Sequence, residues 1–135
     1  MSNPFENAEI LSVYTRAQAL QDGVLVEVSA QAKEHGFKVP VAMTYVSWCE
    51  CVQWTATDER SKPGLGQSAA GRLHDVLTMA MHAARNVDGD RAPFTVLRVP
   101  TEGEGQEAEA VELVLTIHGG DKGEPVCTIM LPWED

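Results

Sequence analysis

Three cysteines and four histidines are the side chains of this chain best suited to bind a metal or to act as nucleophiles. Cys49 and Cys51 are separated by one residue, and such positions on a helix point in different directions, so they predict neither a redox pair nor a two-thiol metal clamp. His74 and His82 lie eight residues apart, unlike the i, i+4 spacing of helical zinc ligands. We expect reduced thiols, no metal and no cofactor. A metal site formed by Cys49, Cys51 and a distant histidine is left open.

Two further patterns bear on catalysis. Residues 118–123 are glycine-rich, but they lack the Gly-Lys-Ser/Thr ending that leads a phosphate-binding loop into a helix. We predict a turn there, and a binding loop in which His118 or Lys122 touches a ligand is the alternative. No serine lies in a Gly-x-Ser-x-Gly elbow. The chain therefore offers no predicted catalytic residue, which favours a non-enzymatic protein and leaves a small enzyme open.

The excess negative charge is concentrated near the C-terminus. The whole chain has a formal net charge of −10, and residues 99–135 contain nine acids and one base, Lys122. Such a field repels nucleic acid and phospholipid surfaces and attracts basic protein surfaces. We predict a protein partner with a basic surface, no direct nucleic-acid binding and no membrane binding. The predicted partner-binding residues are Glu102, Glu104, Glu107, Glu109, Glu112 and Trp54.

Trp54 joins this set because of its spacing from Trp48. The two lie six residues apart on a predicted helix, so they cannot share one helix face. We place Trp48 in the core and Trp54 at the rim or exposed, where tryptophan is typical of an interface hot spot.

Three roles fit these observations. The first is a protein–protein interaction module with an acidic face, whose narrower form is a nucleic-acid mimic or inhibitor of a host DNA-binding protein. The second is a small enzyme or ligand-binding module that uses the groove between sheet and helices. The third treats the acids as a device that keeps the protein soluble. The sequence does not predict the oligomeric state.

Capping signals and apolar periodicity predict the elements that would position these residues. Thr15 and Gln18 form a capping box, and Asp22-Gly23 ends the short helix that follows. We predict helices at residues 16–21, 29–34, 40–54 and 68–85, strands at residues 24–28, 94–99, 111–117 and 126–131, and a loop without secondary structure at residues 55–67.

These elements predict an α+β fold over a single domain, residues 1–135. An antiparallel sheet of three or four strands packs on one long helix, with shorter N-terminal helices beside it. Alternation along the last strands assigns one face to the core. The expected buried residues are Leu113, Leu115, Ile117, Ile129 and Leu131, together with Leu73, Val76, Leu77 and Ala80.

The composition favours a cytoplasmic protein. Hydrophobic residues make up 44% and charged residues 22% of the chain, which is typical of a globular protein. No apolar run approaches the roughly 20 residues that cross a bilayer. Residues 1–6 lack the basic and apolar regions of a signal peptide.

Four stretches, residues 12–26, 36–44, 71–77 and 123–132, together resemble a family of small bacterial proteins of unknown function that are often encoded on plasmids, phages and other mobile elements. The likeness covers almost the whole chain. Because that family has no assigned activity, the resemblance implies no catalytic residue. It implies an accessory protein of a mobile element, located in the cytoplasm.

Overall fold

The computed structural model describes residues 14–135, so the predicted absence of a signal peptide at residues 1–6 concerns a stretch outside the described range. A single-turn 3-10 helix, Pro132–Glu134, follows the last strand. The other elements, in chain order, are α1 (Arg16–Gln21), β1 (Leu25–Glu27), α2 (Ser29–Glu34), β2 (Val41–Thr44), α3 (Tyr45–Cys51), α4 (Ala56–Ser61), α5 (Ala69–Arg85), β3 (Arg91–Arg98), β4 (Glu109–Gly119) and β5 (Pro125–Met130).

The sheet has five strands in the order β1-β2-β5-β4-β3. Strands β3, β4 and β5 form the predicted antiparallel meander. Strand β2, however, pairs with β5 in parallel, with Val41 opposite Cys127. The predicted sheet of three or four antiparallel strands is therefore wrong in strand number and in direction, although the mixed α+β class is confirmed.

The missing strand β2 lies inside the predicted helix 40–54. Val41 and Met43 are fully buried, and the backbone amide of Val41 donates to Ser29 Oγ at 2.9 Å. Thr44 then ends the strand, and its hydroxyl accepts from the Ser47 amide at 3.2 Å to cap α3. Periodicity alone cannot distinguish a short apolar strand from the helix beside it, because a stretch of so few residues fits both the 3.6-residue period of a helix and the two-residue period of a strand.

Residues 55–67 were also predicted wrongly, since α4 occupies the first half of the expected loop. Thr55 and Asp58 form a capping box: the Asp58 amide donates to Thr55 Oγ1 at 3.1 Å, and the Thr55 amide donates to Asp58 Oδ2 at 2.7 Å. The capping box stabilises α4, which has no buried apolar residue to hold it against the core.

The long helix α5 begins after Ser68, whose hydroxyl accepts from the Gly71 amide, and it packs against β3 and β4. The predicted core residues of α5 and of the strand face are buried as expected, apart from Ile117, which is 39% exposed. Strand β3 begins at Arg91, opposite Thr116, so Ile117 has no β3 neighbour to cover it. None of the helices within residues 14–135 combines the length and apolar character needed to cross a membrane.

The predicted turn at residues 118–123 contacts the start of α1. Asp121 accepts the backbone amides of Arg16 at 2.7 Å and Ala17 at 3.0 Å through its two carboxylate oxygens. The Arg16 guanidinium reaches further, to Thr128 Oγ1 at 2.9 Å and Cys127 O at 2.8 Å. These contacts attach α1 to the β4–β5 hairpin, on the sheet face opposite α5.

Candidate functional site

Three buried cations lie beneath the acidic loop, residues 99–108 between β3 and β4. We call them the cation cluster: Lys62, Arg72 and Arg98, which are 2%, 4% and 6% exposed. Lysine and arginine are almost never buried to this degree without partners, since removing a charge from water is costly. The surroundings of each cation therefore decide what the cluster can do.

Lys62 follows α4, and its amide donates to Asp58 O to close that helix. Its Nζ donates to the carbonyl oxygens of Pro100 at 2.5 Å, Glu102 at 3.4 Å and Gly105. Three carbonyl acceptors replace the water that the ammonium loses on burial. One buried lysine thus fixes the backbone of the acidic segment at residues 100–105.

Arg72 lies in the first turn of α5. Its Nε donates to Val52 O at 3.1 Å, and its Nη1 donates to Gln67 Oε1 and Val99 O, both at 2.9 Å. Burial lowers the pKa of Arg72, and the charge of Arg98 lowers it further. Arg72 forms no ion pair with another described residue.

The side chain of Trp54 packs against Arg72 of this cluster. The Arg72 Cζ atom lies 5.3 Å from the centre of the Trp54 ring, within cation–π range. The indole Nε1 donates to Glu59 Oε1 at 3.0 Å. Trp54 is partly exposed and lies beyond the end of α3, not on the predicted helix 40–54. Its role as a partner-binding residue stays a prediction.

Arg98 ends β3 and faces three carboxylates. Its Nη2 lies 2.5 Å from Glu50 Oε1 and 3.3 Å from Glu102 Oε1, and its Nη1 lies 3.9 Å from Glu109 Oε2. Two of the five predicted partner-binding acids, Glu102 and Glu109, are therefore turned at least partly toward an internal cation. Hydrogen bonding to its own backbone amide lowers the pKa of Glu102, and the Arg98 charge contributes.

The other predicted acids, Glu104, Glu107 and Glu112, are exposed and form no ion pair within the described part of the chain. Glu104 and Glu107 lie in the loop between β3 and β4. Glu112 lies on β4 opposite Thr95. Of the five predicted acids, these three are the ones that form no ion pair with Arg98.

The four acids nearest the C-terminus all form contacts within the fold. Asp121 binds the start of α1, and Glu124 accepts the Lys122 amide at 3.0 Å. Glu134 accepts the Thr44 hydroxyl at 2.7 Å, and Asp135 pairs with Arg91. These acids still contribute negative charge, but their carboxylates are bound to other parts of the chain.

A cavity of about 260 Å³ lies between the start of α5 and the end of β3. Burial raises the pKa of the Cys51 thiol on its wall to about 11, although the charges of Arg98 and Arg72 act in the opposite direction. That thiol is protonated at neutral pH and is a poor nucleophile. The lining residues are Cys51, Gln67, Arg72, Asp75, Val96, Leu97, Arg98, Val99 and Ala108.

The structure brings together two histidines that the sequence did not pair. His35 Nε2 and His74 Nδ1 lie 2.9 Å apart on an exposed surface between α2 and α5. Cys51 and Cys127 are buried, and Cys49 is partly buried, all as free thiols. Among residues 14–135, no group of three or more His, Cys, Asp or Glu side chains is placed to hold a metal ion.

Sequence reasoning missed Arg72 and Arg98 although both carry a readable signal. Arg98 continues the two-residue alternation of the buried Phe94 and Val96 along β3. Arg72 lies four residues before the buried Val76, on the same face of α5. A charged residue at a core position of either pattern indicates a buried charge that needs a partner.

The fold and this site define a mixed α+β protein with a buried cation cluster beneath an acidic loop. The model of a family described as "Family of unknown function (DUF6573)" matches residues 1–135, and the chain belongs to that family. No curated protein and no solved structure matches the chain. The expected membership of a family of unknown function is confirmed, and the mobile-element origin stays a prediction.

Proposed function

We propose that the protein is a non-enzymatic interaction module that binds a basic protein through one acidic surface. We define the acidic surface by Glu104, Glu107 and Glu112 together with Leu97. The observation that carries the proposal is the position of Leu97, a leucine 65% exposed on the same sheet face as Glu112.

The register of β3 and β4 places the side chains of Leu97 and Glu112 next to each other. Leu97 is opposite Ala110, and Thr95 is opposite Glu112. Residues two apart on a strand share a face, so Leu97 and Glu112 are diagonal neighbours, roughly 7–8 Å apart between their Cα atoms. An exposed apolar side chain beside acids has the arrangement of an interface, in which an apolar centre is surrounded by a charged rim.

Lys62 supports the proposal by holding the acidic loop in place. Its contacts to Pro100, Glu102 and Gly105 fix the segment that carries Glu104. A loop that is already ordered loses less conformational entropy when a partner binds. Complementary charge would speed encounter with a basic partner and would make association weaken as salt rises.

The absence of a predicted catalytic residue and the chemistry of the cavity favour a non-enzymatic role. The cavity thiol of Cys51 is protonated at neutral pH, and His74 is not part of that cavity's wall. His35 and His74 line a second cavity of about 360 Å³, which contains no cysteine or serine. A small enzyme remains the alternative. The nucleic-acid mimic is a narrower form of the interaction proposal, and competition between DNA and the protein for its partner would distinguish it.

We also propose, from the resemblance of residues 12–26, 36–44, 71–77 and 123–132, that the protein is an accessory of a mobile element and acts in the cytoplasm. Detection of its gene beside plasmid or phage genes, together with cell fractionation, tests both statements. A chromosomal housekeeping location would contradict the first, and recovery from the membrane or medium would contradict the second.

The interaction proposal is tested by differential capture from a lysate of the source organism. The baits are the unmodified protein, a variant with Glu104, Glu107 and Glu112 changed to Gln, and a control with the exposed Glu34, Asp88 and Asp90 changed to Gln or Asn. We expect a basic protein that the unmodified and control baits retain and the acidic-surface variant loses. Identical retention by all three baits would contradict the proposal.

A further inference from the structure

We propose that the cavity between α5 and the end of β3 binds a monoanionic carboxylate group through Arg72 and Arg98. This site adjoins the acidic surface, since Leu97 belongs to both, but the proposal does not rest on the interaction proposal. Both arginines line the cavity and both are more than nine-tenths buried. The proposal rests on buried N–H groups of these two arginines that have no hydrogen-bond acceptor among the described residues.

Three buried guanidinium nitrogens have no hydrogen-bond partner within the described residues: Arg72 Nη2, Arg98 Nε and Arg98 Nη1. Buried polar atoms are nearly always paired, and an unpaired donor on a charged group is especially costly. Three such atoms on two residues of one cavity wall point to a ligand that supplies acceptor oxygens. A carboxylate offers two oxygens with about four acceptor positions.

The charges around the cavity favour a ligand with one negative charge over a ligand with two. Arg98 already faces Glu50, Glu102 and Glu109, whereas Arg72 forms no ion pair with another described residue. The carboxylate of Asp75 also lines the cavity and would repel a second ligand charge. Because four carboxylates already lie on or beside this wall, a monoanion would be repelled less than a phosphate dianion.

The rest of the wall indicates a hydrocarbon body next to the carboxylate. Val96, Leu97, Val99 and Ala108 contribute apolar surface to the same cavity, and Gln67 is already bonded to Arg72. Small-ligand sites typically combine apolar walls with a few polar groups that fix orientation. The ligand class is thus a small aliphatic carboxylate, supplied either as a free acid or as the carboxyl terminus of a peptide.

The test uses butyrate, its neutral analogue butyramide, N-acetylalanine as a peptide carboxyl terminus, and inorganic phosphate. Binding is followed by amide chemical shifts and by the fluorescence of Trp54, which lies against Arg72, with Trp54→Phe identifying that signal. We expect saturable changes at residues 72, 75, 96–99 and 108 with a carboxylate, and none with butyramide. Tighter binding of butyrate assigns a free acid, and tighter binding of N-acetylalanine assigns a peptide terminus.

Two variants locate the site. Arg72→Gln should weaken carboxylate binding by about tenfold or more, because a charge-assisted hydrogen bond is lost. Ala108→Phe fills the cavity from its exposed edge and keeps both arginines, so it decides the question if the first variant does not fold. It should abolish the shifts. Arg60→Gln, which removes an exposed arginine, should bind as the unmodified protein does.

Several outcomes would overturn the proposal. They are equal effects of butyrate and butyramide, preferential binding of phosphate, shifts that fall outside the cavity, and binding that survives Ala108→Phe unchanged. A cavity that responds to none of the four compounds is filled by water alone, which also overturns it.

Discussion

The Nζ atom of Lys62 lies 2.5 Å from the carbonyl oxygen of Pro100, 38 residues further along the chain. This contact joins the residue that follows α4 to the residue that opens the acidic loop. It means that the acidic loop, residues 99–108 between β3 and β4, is held by a buried cation of opposite sign. The position of Glu104 and its neighbours therefore depends on α4, which ends next to Lys62.

Removal of this cation should release the loop. Lys62→Met deletes the donor to Pro100, Glu102 and Gly105 and should lower the free energy of unfolding by about 1–3 kcal/mol, since a buried acceptor is left unpaired. Urea denaturation measures the stability. Hydrogen exchange should show faster exchange at residues 101–108, whereas the exposed Lys38→Met should change neither. Unaltered exchange in that loop would mean that other contacts hold it.

The carboxylates around Arg98 should contribute unequally to stability. Glu50→Gln, at the shortest distance, should cost about 1–3 kcal/mol because Arg98 is buried. Glu102→Gln should cost about 0.2–1 kcal/mol, since Glu102 is mostly exposed. Glu104→Gln should leave stability unchanged or slightly raised at low salt, because it relieves repulsion. Denaturation midpoints compare the three, and an equal effect of Glu104→Gln and Glu50→Gln would refute this order.

Much of the fold follows from local signals in the sequence. The capping box of Thr15 and Gln18 predicts α1 with its observed bounds, and the 3.6-residue period predicts α5 to within one residue. The strands of the meander are recognised by alternation. Strand β2 is short, and one of its two partners, β5, lies more than 80 residues away, so this parallel pairing leaves no local mark in the sequence.

The candidate site was less predictable for the same reason. The acids of residues 102–112 are visible as a charge run, but the sequence does not indicate that Glu102 and Glu109 face Arg98 while Glu104 and Glu107 do not. That difference depends on how β3 ends and β4 begins. The proximity of Arg72 and Arg98, 26 residues apart, depends on how α5 packs on β3.

The structure distinguishes two residues that the sequence patterns both assign to the core. Leu77 on α5 is fully buried, so Leu77→Ala should cost about 2–5 kcal/mol through the cavity that it leaves. Ile117→Ala should cost less, because Ile117 is partly exposed at the edge of the β3 pairing. Chemical denaturation of both variants checks this order. Equal costs would show that Ile117 is covered in solution.

Asp121 should make stability depend on pH. Hydrogen bonds from the Arg16 and Ala17 amides hold the pKa of Asp121 below its ordinary value of 3.8. Because the folded state favours the ionised form, this stabilisation is complete above the ordinary pKa and is lost as pH falls through the lower, folded-state value. Asp121→Asn should therefore be less stable than the unmodified protein near neutral pH, with the difference vanishing in acid.

Urea denaturation between about pH 2 and pH 7 measures that difference for Asp121. The control is Asp88→Asn, which changes an exposed carboxylate in the turn before β3. A stability difference for Asp121→Asn that is constant with pH would contradict the proposed role of its charge.

The last prediction concerns the kinetics of partner binding at the acidic surface. Changing Glu104, Glu107 and Glu112 to Gln should slow association with the captured basic partner several-fold and flatten its salt dependence, because long-range attraction acts on encounter. Leu97→Ala should act differently and mainly speed dissociation, since an apolar contact forms after encounter. The control with Glu34, Asp88 and Asp90 neutralised separates local charge from net charge. Stopped-flow or surface-based kinetics measures both rates. Association that ignores salt and all three carboxylates would leave these acids as residues that keep the protein soluble.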